Sequence, residues 1–196
     1  MTSGDSQADA GSQSAKPGKI NSERVYTGKI ITLDRDTVRF PDGSVGEMDM
    51  IRHPGASAIV PFLTDISSAD PQLLLIKQYR YAASQYLYEV PAGRLDPGED
   101  PRDCAARELR EETGCLAREI EFLFTMFTTP GFTDERIHVF MASGLEHGLT
   151  AHESDEFLTV ETVTLSRALR LIKEGEIKDA KTALAILFAA GFRAGH

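Results

Sequence analysis

Between Gly93 and Cys115 the chain reads GRLDPGEDPRDCAARELREETGC. Asp100-Pro101 predicts the start of a helix, with Asp as N-cap and Pro at the first helical position, where a missing N–H costs nothing. Gly114 predicts its end, in the left-handed C-cap role that glycine fills without strain. On a wheel of about 100° per residue, Ala105 and Leu109 set the buried stripe. Glu112 falls between them in angle and Glu108 just beside, so both face the protein. Glu111 lies one step further round, four residues from Arg107, whose guanidinium can hold it.

Three carboxylates at spacings of three and four repel one another unless something neutralises them. Hard oxygen donors in such a group suit Mg²⁺ or Mn²⁺. A solvated acidic face is the competing reading, and spacing alone leaves the two even.

The segment resembles the Nudix box: Gly93, five residues, Glu99, seven residues, then Arg107-Glu108-Leu109-x-Glu111-Glu112-x-Gly114 and a small apolar residue. Cys115 stands where a larger aliphatic is usual, a matter of packing. The resemblance implies an α+β fold: the Nudix α/β/α sandwich with a mixed sheet and a loop–helix–loop that holds metal. It also implies Glu108, Glu112 and the carbonyl of Ala92 as metal ligands, with Mg²⁺ as cofactor and Mn²⁺ as the alternative. Glu111 would ligate or orient, supported by Arg107 and Glu99.

Working outward, the chain is similar to the ADP-ribose pyrophosphatase branch from about His53 to its C-terminal helices. The stretches concerned are His53-Pro54-Gly55-Ala56, Gln78-Tyr79-Arg80-Tyr81, Glu89-Val90-Pro91-Ala92-Gly93 and Thr129-Pro130-Gly131-Phe132-Thr133-Asp134-Glu135. Pro130 lies fifteen residues beyond Cys115, the spacing that marks that branch. The resemblance places Arg80 on substrate phosphate and Glu135 on ribose hydroxyls, both sound chemistry for a guanidinium and a carboxylate. Arg52, Arg94 and Gly131 join them as expected substrate contacts.

The acidic run Glu153-Ser154-Asp155-Glu156 is the expected source of the general base, because a cation lowers the basicity of the carboxylates that bind it. Glu153 is the favoured base, Asp155 a further metal contact and Glu156 the alternate; a solvated loop is the plain reading of such a run. The expected reaction is Mg²⁺-assisted displacement at phosphorus of a nucleoside diphosphate sugar, ADP-ribose giving AMP and ribose 5-phosphate. ADP-glucose, GDP-mannose or another sugar nucleotide stays open as substrate. A non-catalytic Nudix-fold sensor is the competing class. Such proteins tend to lose box carboxylates and carry a DNA-binding appendage, whereas here every glutamate stands and no helix-turn-helix pattern or basic region occurs.

The rest of the chain agrees with this. Its net charge of -9 and pI near 5.0 argue against nucleic acid as partner. Two cysteines without zinc spacing and no apolar run of membrane length point to a reducing, cytoplasmic setting. Residues 1–19 read as a disordered tail, 20–52 as an N-terminal β unit and 53–196 as the hydrolase domain. In the β unit, strands are predicted at Arg24–Leu33, Thr37–Phe40 and Val45–Ile51 around a Pro41-Asp42-Gly43-Ser44 turn. So small a unit lacks an independent core, and homodimerisation through it is expected. Beyond it, Ala56–Leu63 and Leu73–Tyr79 read as paired core strands, followed by strands at Tyr86–Val90, Glu119–Met126, Ile137–Ala142 and Leu158–Leu165. Two helices complete the pattern, one capped by Ser166 and running to Lys173, the other spanning Lys181–Ala190.

Overall fold

The computed structural model describes residues 16–147 and 158–194. It divides into two compact units, one ending at His53 and one beginning at Pro54. The first is an antiparallel sheet of β1 (Gly18–Thr27), β2 (Thr32–Arg39) and β3 (Val45–Arg52), in that order. Asp42 and Gly43 make the β2–β3 turn, Asp42 Oδ1 accepting from Ser44 N at 2.9 Å and Gly43 taking a φ of 87°, which favours glycine.

The first strand departs from the expected Arg24–Leu33. It begins at Gly18, inside the tail expected to be disordered, and stops at Thr27, leaving Ile30 and Ile31 in the connecting turn. β1 is exposed at all ten positions. Its extended form therefore comes from pairing with β2, and it lacks the apolar alternation by which a strand is read. The buried side chains among the described residues of this unit are Asp34 and Asp36, at 6% and 4% exposure. Arg24 and Arg52 bond to Asp34, and Arg52 and Ser22 bond to Asp36. Residues 1–15 of the expected tail lie outside the described residues.

In the second unit the order is β4 (Ala56–Pro61), β5 (Gln72–Arg80), β6 (Gln85–Glu89), β7 (Ala92–Arg94), α1 (Pro101–Thr113), β8 (Cys115–Phe127), β9 (Arg136–His147), β10 (Leu158–Thr164), α2 (Leu165–Lys173) and α3 (Ala180–Ala189). A four-stranded sheet runs β7-β4-β9-β8, with β4 and β9 parallel and the other pairs antiparallel. A three-stranded antiparallel sheet runs β10-β5-β6. The expected pairing of β4 with β5 is thus corrected. They belong to different sheets and meet at the bridge between Phe62 and Leu73. Both are continuous apolar runs, which carry no signal of partner, and β9 takes the edge of β4 instead.

Alternation along β4 builds the layers. Ala58 and Val60 pack with Leu165, Ala168, Ala185 and Ile186 of α2 and α3, whereas Ile59 packs with Ala105 and Leu109 of α1. Helices cover both faces, giving the expected α/β/α sandwich. Two caps differ in detail from expectation. Thr164, not Ser166, caps α2 by accepting from Arg167 N at 3.2 Å, while Ser166 N and Oγ donate to Asp70 at 2.9 and 2.8 Å. Asp179 caps α3, one residue before the helix begins at Ala180. Among the described residues no helix is long and apolar enough to cross a membrane.

Candidate active site

Helix α1 is held at both ends as its sequence requires. Asp100 accepts from Arg102 N at 2.8 Å, and Gly114 takes a φ of 71° with its N–H on Arg110 O. The buried face is Cys104, Ala105, Glu108, Leu109, Glu112 and Thr113, so Glu108 and Glu112 do face the protein. They are exposed by only 8% and 2%, a burial that charged groups sustain only with partners. Glu112 Oε2 accepts from Ala92 N at 2.9 Å. Glu108 accepts from Arg107 Nη1 at 2.5 Å, and the same nitrogen donates to Glu111 at 3.0 Å.

Arg107 is the hub. Its Nε and Nη2 also grip Glu99 at 2.9 and 3.0 Å, and Nη2 donates to the Arg94 carbonyl at 3.1 Å. Those bonds from Arg107 hold the Glu99 carboxyl down at about 2. Glu99 in turn raises Arg107 well above the usual guanidinium range. Glu99 Oε2 accepts from Asp96 N at 3.0 Å, closing the turn before the helix. Cys104, beneath this network, is pushed up by burial to about 11 and stays a neutral thiol.

The short strand β7, which no sequence signal marked, brings the loop against the helix. A Cβ built on Gly93 would overlap the Glu108 carboxyl, so a side chain there would push that carboxylate out of the place it holds. Here lies a cavity of about 320 Å³, with Ala92, Gly93 and Arg94 on one side and Arg107, Glu108 and Glu111 on the other. Asp96, not anticipated from the sequence, also borders it.

The chemistry of the donor set fits a hard divalent cation: Glu108 and Glu112 share the buried face of α1 beside the Ala92 backbone, and the groups they offer are oxygens. Among the described residues no three acidic, histidine or cysteine side chains surround one common point. The expected convergence of Glu108, Glu111 and Glu112 takes another form: Arg107 bridges the first two, and Glu112 turns to the backbone of Ala92.

The NUDIX domain profile matches residues 53–185. The chain belongs to the Nudix family. Residues 19–47 match the nucleoside diphosphate sugar hydrolase N-terminal domain. An ADP-ribose pyrophosphatase of Bacillus subtilis (strain 168) is 40% identical over 172 residues, 86% of this chain and 90% of that one. A protein of Bacillus methanolicus named methanol dehydrogenase activator is 37% identical over 171 residues, again 86% and 90%. A crystal structure of an ADP compounds hydrolase shares the fold, with a TM-score of 0.78 at 22% identity over 92% of this chain and 96% of that one.

In this Nudix hydrolase the other expected site residues lie on separate elements. Arg80, at the end of β5, gives Nε and Nη2 to Glu89 at 2.7 Å each. Glu135 accepts from Thr128 Oγ1 at 2.8 Å, and its N–H donates to Thr133 Oγ1 at 3.2 Å, in the loop that holds exposed Gly131. Neither Arg80 nor Glu135 is among the residues lining the box cavity. Arg52 ends β3 of the N-terminal unit, its guanidinium on Asp34 and Asp36. Glu153, Asp155 and Glu156 lie outside the described residues. Sequence reading missed Glu89 as a partner of Arg80, and also Thr128; in the β5–β6 ladder Arg80 lies opposite Gln85 and Glu89 opposite Ile76, so the pair is made by the long arginine side chain and not by cross-strand neighbours.

Proposed function

We propose that this Nudix hydrolase cleaves the pyrophosphate bond of ADP-ribose with Mg²⁺, yielding AMP and ribose 5-phosphate. The observation that carries the choice of substrate is the Thr128–Glu135 loop, where a carboxylate is anchored by Thr128 on a loop that contains Pro130. A fixed carboxylate suits the diol of a terminal ribose, a group that nucleoside triphosphates lack at that end. The 40% identical relative named ADP-ribose pyrophosphatase supports the same reading.

Glu108, Glu112 and the carbonyl of Ala92 would hold Mg²⁺, with Mn²⁺ the alternative and Asp155 a further contact. When bound, the cation neutralises diphosphate charge and makes a water more acidic. Arg107 keeps Glu108 and Glu111 in place, its own position fixed by Glu99. Arg80 is the diphosphate anchor, with Arg94, Gly131 and Arg52 as further substrate contacts. Glu153 is the general base and takes the proton of the attacking water; Glu156 is the alternate. A homodimer through the N-terminal strands is part of this reading.

The test is a kinetic panel with Mg²⁺ covering ADP-ribose, ADP-glucose, GDP-mannose, ATP and dGTP. ADP-ribose is expected to give the highest kcat/KM. A higher value for a triphosphate overturns the reading, and a higher value for another sugar nucleotide moves the substrate within the same class.

A further inference from the structure

Glu89 is 1% exposed, yet it carries more than the Arg80 pair. Its Oε2 also accepts from Nζ of Lys181, a residue of α3 ninety-two positions away. Lys181 Nζ donates as well to Asp179 at 3.0 Å. Asp179 Oδ2 accepts from Thr182 N at 3.0 Å and Oγ at 2.6 Å, and Thr182 Oγ in turn accepts from Val90 N at 2.9 Å. The first turn of α3 is therefore bolted to Glu89 and Val90, one residue before the Ala92–Arg94 strand that borders the cavity.

We propose that Lys181 is a positioning residue for substrate binding: it fixes the buried Glu89 carboxylate and, through it, the guanidinium of Arg80. The inference rests on the reading of Arg80 as the diphosphate anchor. Two physical points carry it. A buried carboxylate gripped from two sides keeps one position, and Lys181 bonds to Oε2 of Glu89, the same oxygen that accepts from Arg80 Nη2. The fork geometry also fixes the plane of the guanidinium, and with Nε and Nη2 committed to Glu89, Nη1 is left to face a ligand.

The experiment is steady-state kinetics with ADP-ribose and Mg²⁺ on the full chain, comparing wild type, Lys181→Met, Lys181→Arg, Arg80→Ala and the Lys181→Met/Arg80→Ala double variant. Lys181→Met is expected to raise KM about tenfold with kcat within about twofold, on the scale seen when a residue that holds a binding side chain is lost. Lys181→Arg should restore KM, and the Lys181→Met change should have no further effect once Arg80 is gone. An unmoved KM in Lys181→Met, or a full additional loss in the double variant, overturns the proposal. Absence of ADP-ribose turnover by the wild type instead overturns the substrate reading on which it stands.

Discussion

Glycine at position 93 leaves room for a residue fifteen positions later: the Glu108 carboxyl fills the space a side chain there would need and would have to move to admit one. Single residues govern the chemistry in the same way elsewhere in the site. Replacing Glu112 by Gln keeps an oxygen to accept from Ala92 N but removes the charge. Turnover should fall by about 10²–10³-fold, as when one electrostatic stabiliser is deleted from an active site, while thermal unfolding shifts little. A variant within tenfold of the wild-type rate would remove Glu112 from the metal-binding role. Glu89 offers a pH test. Burial pushes its carboxyl up, but hydrogen bonds from Arg80 and the charge of Lys181 outweigh that and hold it below the ordinary range. Its stabilising contribution is therefore complete above about pH 4.3 and lost as pH falls through the lowered value. The gap in Tm between wild type and Glu89→Gln should be widest near neutrality and close in acid; a gap that does not change with pH would refute the pairing. Glu108 and Glu112 were legible in the sequence because helical angle alone puts them beside Ala105 and Leu109. The partnership of Arg80 with Glu89 was not, since the ladder sets these residues opposite Gln85 and Ile76, and the packed side chains alone bring them together.

Among the elements, α1 is the one whose limits follow most directly from local chemistry. Asp100, Pro101 and Gly114 take the cap positions that their backbone preferences dictate. Asp100→Ala should cost about 1 kcal/mol, the usual worth of an N-cap, and urea unfolding would show it as a lower midpoint at unchanged slope. A midpoint equal to wild type would mean that tertiary packing alone holds the helix start. The strands behave differently. β4 and β5 were readable as strands, but their partners were not, because runs buried on both faces present no polar edge to orient them. β7 is three residues long and has no pattern to read; it exists because Ala92–Arg94 pair with Ala56–Ala58.

At the scale of the whole molecule, the N-terminal unit poses the main question. Its sheet buries two aspartates and leaves Ile20, Val25 and Tyr26 of β1 exposed. Three strands with an ionic interior make a poor independent core, so these apolar side chains are expected to be covered by a second copy of the chain. Sedimentation at micromolar concentration should give the mass of a dimer. Removing the chain up to Arg52 should leave a monomer with little or no activity. A monomeric full-length protein, or an active truncated one, would exclude this role.

Taken by itself, the sequence determined the box helix, its caps, the inward turn of Glu108 and Glu112, the β2–β3 turn and the presence of most strands. These are decided by interactions within a few residues, where cap chemistry and the 3.6-residue period act directly. Only the tertiary structure decided that β4 pairs with β9, that Arg107, besides the expected Glu111, also bonds to Glu108 and Glu99, that the N-terminal sheet is ionic inside, and that α3 reaches Arg80 through Lys181 and Glu89. Most of these contacts join residues far apart along the chain, and the Arg107 hub depends on the fold of the loop before the helix. Their energies depend on which surfaces the fold brings together, and no local period or composition encodes that choice.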